Sequence, residues 1–139
     1  MSAGPGRPPR GLAPLLAVTD VGFIVYWSVT GLAAAGVVQI PAAYLYKGYH
    51  DPMLVAWNWS FAPLDLAASF FGLAALAALR AGRAWRGLAI ASLAFTSVAG
   101  GMAIAFWALS GDFDLGWWAP NLVLFAWPWL YLPSLMRDA

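Results

Sequence analysis

Four long apolar runs, set apart by most of the chain's charges, constrain this 139-residue sequence more than any other feature. A helix needs about 20 largely apolar residues to cross a bilayer, and such runs stand at roughly 12–38, 55–79, 85–109 and 115–136. The stretches between them, IPAAYLYKGYHDP, RAGRAWR and SGDFD, are polar and short. A chain that is 63% hydrophobic and 9% charged, with a mean hydropathy of +0.73, carries more apolar surface than a water-soluble globule can bury. The expected fold class is all-α, an integral-membrane up-down four-helix bundle. RAGRAWR and SGDFD force spans two, three and four to be antiparallel neighbours.

Arg7, Arg10, Arg80, Arg83, Arg86 and Arg137 fall at one membrane face, and Lys47 alone falls at the other, beside Asp51, Asp112 and Asp114. The positive-inside rule then places both termini in the cytoplasm, as an even number of spans requires. Residues 1–11, rich in Pro, Gly and Arg, are expected to be a disordered cytoplasmic tail, and 12–139 the transmembrane domain. The first run is about twice the ~7 to 15 residues of a signal-peptide core, which favours a retained anchor. A formal charge of +1 argues against nucleic acid as a partner. With no Cys and His50 as the single His, no metal site and no cofactor are expected.

Two carboxyl groups lie inside apolar runs, Asp20 in VTDVGF and Asp65 in APLDLA. At that depth an ionisable group costs at least about 2.5–3.5 kcal/mol on insertion scales, so it faces the protein interior and marks either a functional site or a bond between helices. Counted at about 1.5 Å per residue from the Arg-rich ends, Asp65, Tyr26, Gly100 and Asn121 share a layer about 21–22 Å deep. Asp20 lies nearer the Arg-rich side. Asn58, Asp65, Ser69 and Gly72 form a polar stripe on span two, and Ser92, Thr96 and Gly100 one on span three. Gly31, Gly72, Gly100 and Gly101 are candidates for close helix approach. Trp27 shares the inward face of Asp20 and Phe23, whereas Trp57, Trp59, Trp107, Trp117 and Trp118 suit an interfacial aromatic belt.

These residues suggest an inward cavity with Asp65 and Asn121 as its polar floor, walled by Tyr26, Trp27, Phe61, Trp117 and Trp118. A carboxyl removed from water favours its neutral, proton-donating form, and aromatic faces stabilise cations by about 0.5–2 kcal/mol each. The leading expectation is a metal-independent terpene cyclase or isomerase. Asp65 is its acid, Asp20 a second acid or base, Asn121 and Tyr26 orienting groups, and Trp27, Asn58, Phe61, Ser69, Thr96, Trp117 and Trp118 hold an apolar isoprenoid-like substrate. One alternative is a noncatalytic module that binds membrane lipid or a partner helix in the same cleft. Another is a proton or small-solute pathway, which four spans would support only as a homo-oligomer.

At TDVGFIVYW, Thr19 to Trp27, and VAWNWSFAPLDL, Val55 to Leu66, the chain resembles the YvaD-like family of small bacterial membrane proteins. The resemblance implies a four-span fold in a bacterial plasma membrane and confers no catalytic residues. A weaker likeness, to integral-membrane terpene cyclases, covers the use of intramembrane acids without metal; those proteins have more spans, so the carry-over is analogy. Sterol-isomerase-like membrane domains share only the number of spans.

Overall fold

In the computed structural model, which describes residues 6–137, every regular element is helical. The first span is α1, Leu12–Ala34, and its buried residues Leu12, Leu16, Asp20, Phe23 and Trp27 recur at spacings of four, four, three and four. That spacing presents one narrow stripe to the protein and leaves the remaining surface to lipid. The helix ends at Ala34, short of the expected 38, because Gly36 adopts φ 72°. Val37 N then donates to Leu32 O at 2.9 Å and Gly36 N to Ala33 O at 3.0 Å, closing the last turn.

The second span is two stacked helices, α2 at Pro52–Ser60 and α3 at Ala62–Arg80. Asp51 Oδ1 accepts from Met53 N at 2.9 Å and Pro52 opens α2, so helix begins earlier than the expected residue 55. The break at Phe61 has its cause in Pro63, which lacks an N–H and crowds the carbonyl of Trp59. Next comes α4, Arg86–Leu109, with a buried series dominated by small residues, among them Ala89, Ser92, Thr96, Gly100 and Ala103.

The fourth run departs from a continuous span. It divides into α5, Leu115–Ala126, a 3-10 turn at Trp127–Leu130, and α6, Leu132–Arg137. Pro120, Pro128 and Pro133 remove donors from the ladder in turn. Among the described residues, three helical stretches are long and apolar enough to cross a membrane: α1, the joined α2 and α3, and α4.

Backbone packing follows chain order, with α3 between α1 and α4, and α4 between α3 and α5. At Gly100 the approach is backbone to backbone. A Cβ there would stand 2.6 Å from Asn121 O and from Phe125 N, so only glycine lets α5 seat on α4. At the Arg-rich end the start of α1 and the helix α6 come together around one apolar core, where Leu12 and Leu16 meet Trp85, Leu93, Trp127 and Leu135. Tyr131 OH donates to Arg10 O at 3.1 Å, and Trp85 Nε1 to Gly6 O at 3.3 Å. Residues 1–5 of the expected tail lie outside the described residues. At the opposite end α5 buries none of its residues, and the bundle opens.

Candidate functional site

Two polar layers and one cleft make up the candidate site. The deeper layer forms where three helices meet. Asp20, fully buried on α1, receives Ser92 Oγ of α4 on its Oδ1 at a long 3.5 Å. Its Oδ2 has no hydrogen-bond partner among the described residues. A Cβ on Gly72 of α3 would overlap that oxygen and stand 2.8 Å from Ser92 Oγ. The glycine therefore turns its Cα–H toward Oδ2, a weak donor in place of a strong one. Ser69 Oγ lies 2.9 Å from the backbone oxygen of Asp20 and 3.0 Å from that of Asp65, linking α1 to α3. Thr96 is buried on α4, its hydroxyl without a partner among the described residues.

The second layer is a pair of matched bonds from consecutive residues of α1. Trp27 Nε1 donates to Asp65 Oδ2 at 2.9 Å, and Tyr26 OH donates to Asn58 Oδ1 at 3.3 Å. Asn58 and Asp65 are seven residues apart and share one face of the broken span, which is why neighbouring residues on α1 reach both. Asp65 is only 6% exposed, and its Oδ1 is buried without a hydrogen-bond partner among the described residues. The seven-residue step from Asp20 to Trp27 on α1 separates the two layers by about 10 Å along the helix.

The cleft lies past this second layer. It has a volume of about 830 Å³ and sits between the end of α1, the 36–49 segment, Trp59 of α2 and Trp117 of α5. Tyr26, Tyr46, Tyr49, Trp59 and Trp117 supply rings, with Val29, Ile40 and Leu45 between them. Burial pushes the Tyr46 phenol up from its ordinary pKa, keeping it neutral. An ion pair between Lys47 and Asp112 ties the 36–49 segment to the turn before α5.

Several expected members of the site stand elsewhere. Asp65 and Asn121 do not form a common floor: neither lines the cleft, and Asn121 Nδ2 donates to Trp117 O of its own helix at 2.8 Å. Trp118 closes the turn before α5 instead of walling a cavity; its Nε1 donates to Asp112 O at 2.9 Å and its ring stacks on Phe113. Phe61 belongs to a separate ring cluster, edge-on to Trp57, which in turn stacks on Phe106 and meets Trp107. Trp27 is buried behind the cleft, with its ring 5.4 Å from that of Trp59. Tyr26 and Trp117 alone of the expected set line the cleft. Missing from that set were Tyr44, Tyr46 and Tyr49, signalled only by the repeated tyrosines of AYLYKGY. Among the described residues no three His, Asp or Glu side chains come together to hold a metal.

The fold and the site define a small membrane protein of packed apolar helices, with carboxyl groups sealed in its interior and a ring-lined cleft at one end. The chain belongs to the family described as "Family of unknown function (DUF5360)", which its residues 12–139 match. It is 41% identical over 122 residues to "Uncharacterized protein YvaD" of Bacillus subtilis (strain 168), covering 87% of this chain and 88% of that protein. This is the family anticipated from the two sequence segments. No solved structure matches the chain.

Proposed function

We propose that this chain is a noncatalytic module of the bacterial plasma membrane that holds an apolar or amphipathic small molecule in its ring-lined cleft. With both termini in the cytoplasm, as the arginine distribution favours, the cleft opens on the outer side. The observation that carries this reading is a division of labour: a cleft of about 830 Å³ is lined wholly by uncharged residues, while both intramembrane carboxyl groups lie outside it. That volume falls within the range of about 300–1,000 Å³ used for small ligands, and aromatic walls with a few polar groups are the usual lining. Acid-catalysed cyclisation or isomerisation asks for a carboxyl group against the ligand. Here Asp65 is engaged by Trp27, and Asp20 is enclosed between Gly72 and Ser92.

Native mass spectrometry of protein extracted in an uncharged detergent tests the reading. A small apolar adduct is expected, retained in Asp65→Asn and lost in Ala33→Trp, which fills the cleft from α1. Absence of any adduct, or loss in Asp65→Asn with retention in Ala33→Trp, overturns it. In the second outcome the acid, not the cleft, marks the site, and turnover of polyprenyl substrates becomes the assay to run.

A further inference from the structure

The cleft carries a charge preference that its shape alone does not require. None of its lining residues is Asp, Glu, Lys, Arg or His. Lys47, the one Lys or Arg between α1 and α2, directly follows Tyr46, yet its ammonium is engaged by Asp112. Two features remain to act on a ligand's charge. One is the set of rings from Tyr26, Tyr46, Tyr49, Trp59 and Trp117, whose faces attract cations. The other is the end of α1, which meets the cleft at Ala33 and Ala34 and carries the negative pole of the helix, equivalent to about half an elementary charge.

Both features favour the same sign, and no basic side chain on the lining opposes them. An anionic head would find no basic side chain; Asp51 occupies the start of α2, and the start of α5, which reaches the cleft at Trp117, is flanked by the carboxyl groups of Asp112 and Asp114. A neutral head would gain from the apolar walls alone. The Lys47–Asp112 pair also matters, since an unpaired ammonium beside Tyr46 would repel a cation and cancel much of the gain.

We infer that the cleft binds an alkylammonium group, a positively charged nitrogen with alkyl substituents, carried on an apolar chain that lies along Val29, Ile40 and Leu45. This rests on the reading of the cleft as a ligand site, and the test separates the two. Four decyl compounds are titrated into the protein in dodecyl maltoside micelles, bearing trimethylammonium, phosphocholine, hydroxyl or sulfate heads, with tryptophan fluorescence as the readout and empty micelles as the control.

The trimethylammonium compound is expected to bind about tenfold more tightly than the alcohol or the sulfate, a margin that a few ring contacts supply. Tyr46→Phe should keep that preference, because it keeps the ring. Tyr46→Leu should weaken the ammonium by about threefold more than it weakens the alcohol. Tyr46 lies between helices, and the helix content of both variants is compared with that of the parent protein. Equal binding of the phosphocholine would identify a lipid headgroup as the source, and its exclusion a free amphiphile; the ammonium assignment stands under either result. Equal binding of ammonium and alcohol, or tighter binding of sulfate, would overturn the charge preference while leaving the cleft a ligand site. Binding of none of the four would overturn both.

Discussion

The interior seam and the cleft are built from the same short alphabet of small and aromatic residues, yet they use it in opposite ways. Along the seam a single methyl group has no room at Gly72, against the Asp20 and Ser92 side chains, or at Gly100, against the α5 backbone, and the polar side chains of Asp20, Ser69 and Ser92 are spent on joining helices. In the cleft, Tyr26, Trp59 and Trp117 line open space, and the polar side-chain atoms on its lining are hydroxyl, amide and indole groups without charge. Helices in lipid gain nothing from hiding apolar surface from water, so the seam must rely on close contact and hydrogen bonds. The cleft can remain open because the 36–49 segment and α5 are tied at its rim and not through its middle. The difference teaches that an intramembrane acid is not by itself a sign of a reactive site: in this fold the acids belong to the seam.

Substitutions break the comparison most strongly at the seam. Gly100→Leu has to displace the α5 backbone, and Gly72→Leu has to displace Asp20. Each is expected to cost about 3 kcal/mol or more, toward or past the upper end of overpacking effects, and to abolish a single folded species. Ala33→Trp, a larger addition in the cleft, should shift stability by less than about 1 kcal/mol, as additions into open space do. Unfolding of the three variants in detergent, followed by helix content, checks the contrast; equal loss in all three would show that cleft and seam are one packed unit.

Next in size are the bonds within the seam. Trp27→Phe leaves Asp65 Oδ2 without its donor, and Asp20→Ala leaves Ser92 without its acceptor. A buried group stripped of its partner costs about 1–3 kcal/mol. Asp65→Asn and Asp20→Asn keep an oxygen able to accept the same bonds and should cost less than about 1 kcal/mol. If Asp65→Asn leaves both stability and ligand affinity intact, the acid serves structure. If stability holds and function in the cell is lost, Asp65 has a chemical role that the cleft geometry does not display.

Much of the seam was legible because helical periodicity in a membrane chain has few solutions. Asp20, Phe23 and Trp27 could be placed on one inward face from spacing alone, and Gly72 and Gly100 could be marked as contact points because lipid-embedded helices need small residues there. The pairing of Trp27 with Asp65 was not legible, since it depends on how two helices rotate against each other, and counting residues gives depth but no rotation. The same ignorance put Asn121 into the floor and Phe61 and Trp118 into the wall of one cavity, when each satisfies its own helix or a neighbouring ring. Prolines in the fourth run announced local weakness but not a division into three pieces. The cleft itself was hidden for a further reason. Half of it is loop, where side chains follow no period, so Tyr46 and Tyr49 read as part of a polar connection.

The smallest expected effect sharpens the comparison at the rim. The hydrogen bond and charge of Lys47 hold the Asp112 carboxyl below the usual carboxylate range. A group with a lowered folded-state pKa contributes stability above its unfolded pKa and loses that contribution as pH falls through the folded value. The rim should therefore be indifferent to pH between about 5 and 8 and loosen only in more strongly acidic solution. Because the pair faces water, salt should loosen it as well, and Asp112→Asn should reproduce the acid form at neutral pH. Hydrogen exchange resolves the effect by region: faster exchange is expected in the 36–51 segment and in the turn before α5, with α1, α3 and α4 unchanged. An increase that spreads into the Asp20 and Asp65 layers would mean that the rim and the seam open together, and the independence on which a permanently formed cleft depends would be lost.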